Sequence, residues 1–175
     1  MKINYFDCPT SFRDCGRHTL CAIAQSMGVV IKREVDHRSI IERLTGMMKP
    51  GTLRLLLDRI GFKTLIHSAA RLTSDKRIDA IMRIVKNGTP VVLLVGTGPW
   101  HLIPHWISVW RYDEMSEKFM VYDPWIGTKT VYIPHGNRLV SGEELVTMWS
   151  KPRWLRPWFK ELYLVPLPLP GFWIN

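Results

Sequence analysis

Near residue 89 the apolar pattern of this chain changes period, and that change limits its fold more than any other feature. Before it, apolar residues recur at helical spacing. Leu20, Ile23, Ala24 and Met27 share a face behind Gly16, with Gly28 as the stop. "DHRSIIERLTG" over 36–46 predicts a second helix, capped by Asp36 and striped by Ile40, Ile41 and Leu44. A third follows Pro50-Gly51-Thr52, with Leu53, Leu56, Leu57 and Ile60 on one face and Gly61 at its end. "KTLIHSA" over 63–69 reads as a short strand. "DKRIDAIMRIVKNG" over 75–88 reads as a fourth helix, with Ile78, Ile81, Met82 and Val85 in register.

Beyond residue 89 the period falls to two or vanishes. "PVVLLVG" over 90–96 is a continuous apolar run, as in a strand buried on both faces. "HWISVWRYD" over 105–113 and "EKFMVYDP" over 117–124 alternate, and "DEMSE" over 113–117 joins them as a hairpin loop. "TKTVYIP" over 128–134 predicts another strand. "SGEELVTMW" over 141–149 predicts a helix capped by Ser141, with Glu144 at capping-box spacing. "ELYLVPLP" over 161–168 predicts a strand at the sheet edge, because prolines remove ladder donors. The expectation is an α+β fold in which N-terminal helices pack on a C-terminal antiparallel sheet. We expect one domain over residues 1–175, helical over about 1–88 and sheet-forming over about 89–170.

Composition agrees with a folded core: 46% of the 175 residues are apolar and 22% charged. There is no apolar run of about 18 residues to span a membrane. Polar residues interrupt "MKINYFDCPTSFRD" where a signal peptide needs an apolar stretch, so a cytoplasmic protein is expected. Three cysteines, Cys8, Cys15 and Cys21, make a poor disulfide framework. The net charge of +9 suits anionic partners, an acidic peptide among them. Lys and Arg are scattered except in "KPRWLRPWFK" over 151–160. That segment reads first as aromatics packing onto the domain, and second as a docking surface for a membrane or a protein. Nucleic acid ranks last among the partners, because no nucleic-acid-binding motif accompanies the charge.

The chemistry concentrates in "SFRDCGRHTLCAIAQSMG" over 11–28. Cys15 stands where a helix begins, and a helix N-terminus stabilises a thiolate. Its backbone N–H could donate to a developing oxyanion, and Gly16 would leave room for a substrate carbonyl. On local context alone, a buried small hydrophobe is the commoner fate of a free cysteine. A nucleophilic cysteine needs a base. Of His18, His37, His67, His101, His105 and His135, only His105 begins a rigid strand. His101 and His105 have H-x-x-x-H spacing, but Pro104 rules out a helix and no glutamate follows His101, so no metal is expected, nor any cofactor. Asp123 ends the strand after His105, at the same end of the hairpin. A small offset in the turn would bring the two together, with the carboxylate orienting the imidazole. Alone, Asp123-Pro124 reads as a turn starter.

The chain resembles the papain-like cysteine peptidases of the bacteriocin-processing type, cytoplasmic domains that cut leader peptides after a double glycine. The resemblance rests on "DCGRHTLCAIAQSMG" over 14–28, "KPGTLRLLLDRIGFKT" over 49–64, "GTPVVLLV" over 88–95, "HWISVWRYD" and "VYDPWIG" over 121–127. It implies a papain-like fold, Cys15 as nucleophile, His105 as general base, Asp123 as orienter, and a peptide or protein substrate. The family usually carries a glutamine five or six residues before the nucleophile, as an oxyanion donor. Here Pro9 and Thr10 occupy those positions, leaving Thr10 and Ser11 as substitutes beside the Cys15 N–H. Arg17 and His18 replace the usual small pair after "DCG" and become candidate substrate contacts. The alternatives are a binding module without turnover, motivated by the missing glutamine, and an amide acyltransferase on the same fold.

Overall fold

The computed structural model describes residues 15–26, 48–97, 103–126, 136–150 and 161–169, with only the backbone of Gln25. Four helices and six strands fall within them: α1 Cys15–Ser26, α2 Pro50–Arg59, β1 Phe62–Ser68, α3 Ser74–Lys86, β2 Val91–Thr97, β3 Ile103–Asp113, β4 Lys118–Tyr122, β5 Arg138–Ser141, α4 Gly142–Trp149 and β6 Leu162–Pro168. The strands form one antiparallel sheet in the order β1-β6-β2-β3-β4-β5, an α+β arrangement. The helix expected over 36–46, the strand expected over 128–134 and the basic aromatic segment 151–160 lie outside the described residues. Among the described residues no helix is long and apolar enough to cross a membrane.

Side-chain alternation divides the core between the two faces of the sheet. On one face, Val92, Leu94, Trp106, Trp110, Tyr122 and Leu164 pack against Leu20 and Ile23 of α1 and Leu53, Leu56 and Leu57 of α2. On the other, Val91, Leu93, Ile107, Val109, Phe119 and Val121 pack against Ile81 and Val85 of α3 and Leu145, Met148 and Trp149 of α4. The uninterrupted apolar run of β2 follows from this, since helices cover it on both sides. The helices therefore divide between both faces instead of forming one N-terminal layer. Each helix behaves as its pattern predicts. α2 buries Leu53, Leu56 and Leu57, and Gly61 follows it with φ +97°. In α4 the Ser141 hydroxyl accepts the Glu144 N–H at 3.1 Å.

One expectation needs correction. β6 is not an edge strand: it lies between β1 and β2. The reason its prolines are tolerated is the unequal length of the two ladders. β1 pairs along all of β6, from Phe62↔Pro168 to Ser68↔Leu162, whereas β2 pairs only at Leu164 and Tyr163. Pro166 and Pro168 thus sit where β6 has a neighbour on one side only.

Candidate active site

Cys15 is the first residue of α1, so its N–H belongs to the first turn of the helix, where backbone donors have no partner within the helix. One hydrogen bond and one close contact fix this helix end against β3, and a second hydrogen bond ties β3 to Met48. The Thr19 hydroxyl donates to the Trp106 carbonyl at 3.2 Å, and the Trp106 indole N–H donates to the Met48 carbonyl at 2.8 Å. Gly16 lies beneath them: a Cβ there would stand 2.9 Å from Met48 Cβ and 3.1 Å from Trp106 Cδ1. The need for glycine is therefore the approach of helix to strand. Gly16 is buried, so packing alone already requires a glycine at this position.

His105 faces Val95 across the β2–β3 ladder, one residue from Trp106. The β3–β4 ladder pairs Asp113↔Lys118, Tyr112↔Phe119 and Arg111↔Met120, then skips Trp110 to pair Val109↔Val121 and Ser108↔Tyr122. That bulge decides where Asp123 goes. Without the bulge, with Trp110 paired in the ladder, Asp123 would fall level with Ser108, whose side chain points away from the His105 set. With it, Asp123 falls level with Ile107, diagonal to His105 on the same face. The offset expected in the turn is thus built into the strand.

The result is a buried pair: His105 Nε2 stands 2.6 Å from Asp123 Oδ1, and each residue is 2% exposed. The Cys15 thiol lies close enough to the same imidazole to favour its charged form. With Nε2 engaged by Asp123, Nδ1 is the nitrogen left to face the sulfur. Cys15 is 5% exposed. Burial works against a charged ring, but the hydrogen bonds and charges of Asp123 and Cys15 outweigh it and push His105 up to about 9. Burial likewise works against the Asp123 carboxylate. The hydrogen bond and charge of His105, the Trp125 N–H and the charge of Arg138 prevail and hold it below the usual range. The Trp125 ring meets His105 edge-on at 5.6 Å.

Two further residues hold Asp123, and no motif in the chain marks them. Asn137 accepts the Asp123 N–H at 2.8 Å and donates to the carbonyls of Asp123 at 2.8 Å and Ile126 at 2.9 Å. Arg138 donates through Nη1 to Asp123 Oδ2 at 3.2 Å and through Nη2 to Glu144. Gly136 permits the close pass of this segment, since a Cβ there would meet the Val121 carbonyl oxygen at 2.8 Å. "HGNRLV" signals a turn before a strand, but it does not say what the turn touches.

The other candidates are placed as follows. Arg17 is exposed on α1 and His18 is half-buried beside it. Cys21 is half-buried in the same helix; burial pushes its thiol up, against the opposing charge of Arg17. His67 stacks on Tyr163 with ring centres 5.1 Å apart, away from this cluster. Thr10, Ser11, Cys8, His37, His101 and His135 lie outside the described residues. Among the described residues no group of three or more His, Cys, Asp and Glu side chains is placed to hold a metal ion.

No family model matches the chain, and no curated protein does. Solved structures do. The peptidase domain of Streptococcus ComA, a bifunctional ABC transporter involved in a quorum-sensing pathway, aligns with a TM-score of 0.61 at 16% identity, covering 94% of this chain and 99% of that one. A Bacillus anthracis protein described as a C39-like peptidase aligns with a TM-score of 0.58 at 13% identity, covering 95% of this chain and 94% of its own. The chain therefore has the fold of C39-type peptidase domains over nearly all of its length.

Proposed function

We propose that this protein is a cysteine peptidase that cuts a peptide bond with Cys15 as nucleophile, His105 as acid and base, and Asp123 as the group that orients the imidazole. The observation that carries the reading is one imidazole shared between a helix-start thiol and a carboxylate 2.6 Å from its Nε2. His105 is readily protonated, so it can hold the proton that the thiol gives up. The sulfur attacks the carbonyl carbon, and the resulting oxyanion accepts from the Cys15 N–H, with Thr10 or Ser11 as the second donor. When the C–N bond breaks, His105 gives its proton to the leaving amine. It then takes a proton from the water that hydrolyses the thioester. Arg17, exposed two residues beyond the sulfur, and His18 would meet the substrate, and the +9 charge suits an acidic peptide.

The test is a panel of peptide vinyl sulfones read by intact mass, with iodoacetamide as a sequence-independent probe. The expected result is one adduct on Cys15, none in Cys15→Ala, and alkylation at pH 6 slowed about a hundredfold or more in His105→Ala. If no panel member reacts and His105→Ala is alkylated as fast as the natural protein, the fold carries a binding module and the peptidase reading fails.

A further inference from the structure

The Asp123 carboxylate has two oxygens and they are used differently. Oδ1 takes His105 Nε2 at 2.6 Å and the Trp125 N–H at 3.0 Å. Oδ2 takes Arg138 Nη1 at 3.2 Å. The other arm of the same guanidinium reaches Glu144 in the first turn of α4. Arg138 is 28% exposed along its side chain, whereas Asp123 and His105 are almost fully buried. A charged chain therefore runs from the sulfur to the surface: Cys15 on α1, His105 on β3, Asp123 after β4, Arg138 on β5 and Glu144 on α4.

We infer that Arg138 is a positioning residue of the reaction centre, which fixes the plane of the Asp123 carboxylate and keeps it charged so that His105 stays aimed at Cys15. This rests on the peptidase reading above. A carboxylate held at one oxygen can turn about its last torsion; one held at both cannot. A guanidinium suits this place because its planar fork spans two carboxylates at once, as an ammonium does not. Asn137 fixes the backbone of Asp123 and Arg138 fixes its side chain, so two adjacent residues set the whole aspartate. Glu144 restrains Arg138 from solvent, and the Ser141 cap restrains the turn that carries Glu144.

The experiment is the pH profile of Cys15 alkylation by iodoacetamide in the intact chain, with Arg138→Gln, Arg138→Lys, Glu144→Gln and His105→Ala beside the natural protein. The charged groups that bear on Asp123 are His105 and Arg138, with Cys15 and Glu144 one step further along the chain. In Arg138→Gln the rate at pH 6 is expected to fall about tenfold and the acid limb to move up by about one pH unit, since the cation favouring the carboxylate is gone. Arg138→Lys keeps the charge without the fork, so its acid limb stays near the natural one while its rate falls. Glu144→Gln leaves Arg138 charged but loosely held and should lie between. A role in stability alone would lower melting temperatures without moving the acid limb. If His105→Ala is slow but Arg138→Gln keeps both the natural rate and the natural limb, the inference about Arg138 is overturned and the dyad stands. If His105→Ala is alkylated at the natural rate, the peptidase reading itself has failed.

Discussion

His105 gains its charge by folding, and that ties stability to pH. Its ordinary value is 6.5 and its folded value about 9, so folding favours the protonated ring. The contribution is complete below about 6.5 and is lost as pH rises through about 9. Asp123 has the opposite sign: its carboxyl, ordinarily near 3.8, is lowered, so its contribution is complete above that value and is lost as pH falls through the lower one. Melting temperature should accordingly be flat between about pH 4 and 6.5 and decline towards pH 9 and beyond. His105→Asn should remove most of the alkaline decline, measured by thermal unfolding at fixed ionic strength. A natural protein whose melting temperature rises from pH 6.5 to 9 would contradict this. At this scale the meeting of Cys15, His105 and Asp123 in space was partly legible, because each has a recognisable place: a helix start, a strand start and a strand end. Asn137 and Arg138 were not. Their importance lies in hydrogen bonds to a residue 14 and 15 positions earlier, which no local pattern records.

At the scale of elements, the bulge at Trp110 carries the most information. Alternation and turn signals in the sequence locate β3, β4 and their hairpin, but a single unpaired residue inside a strand leaves the hydrophobic pattern almost unchanged. The faces of Asp123 and His105 therefore could not be matched from the sequence. Deleting Trp110 should let the ladder run without interruption while leaving Val109 opposite Val121 and Asp123 level with Ile107, so the register that brings Asp123 to His105 survives. Circular dichroism should still show a folded sheet, and Cys15 alkylation should stay well above the rate of His105→Ala. A deletion variant that folds but is alkylated as slowly as His105→Ala would show that register alone does not set the pair. The misplacement of β6 has a related cause. The proline rule applies to the stretch of strand that has two neighbours, and sequence does not say how long each neighbour is. Helix ends were the easiest part to read: Ser141 caps α4 as its spacing with Glu144 suggests, and Asn87 and Gly88 follow α3.

Across the whole molecule, Arg77 ties together parts that the sheet does not. From α3 it donates to the Leu72 carbonyl at 3.0 Å, the Ser150 hydroxyl at 2.9 Å and the Glu161 carboxylate at 2.7 Å, and it lies over the Trp149 ring. The tie spans α3, the end of α4 and the entry to β6. Arg77 is buried, so its face of α3 reads from sequence as a break in the apolar stripe and gives no hint of a partner far along the chain. Arg77→Met should cost about 3–5 kcal/mol in urea unfolding, because it leaves a buried carboxylate without its cation. Arg77→Met with Glu161→Gln should recover part of that loss; a double variant no more stable than the single would show that the ion pair is not the source. The layered arrangement was legible only in part. Periodicity shows which residues are buried in a helix, but not which side of the sheet the helix covers.

The order of Cys15, His105 and Asp123 along the chain has a consequence for the protein's own synthesis. Ribosomes make Cys15 early and Asp123 late, and His105 between them. The thiol gains its partners only after β3, β4 and the Asn137–Arg138 segment have emerged and the strands have paired around the bulge. Until then an exposed Cys15 has neither its base nor its carboxylate. The cluster of Cys15, His105 and Asp123 is thus completed only late in the assembly of the fold.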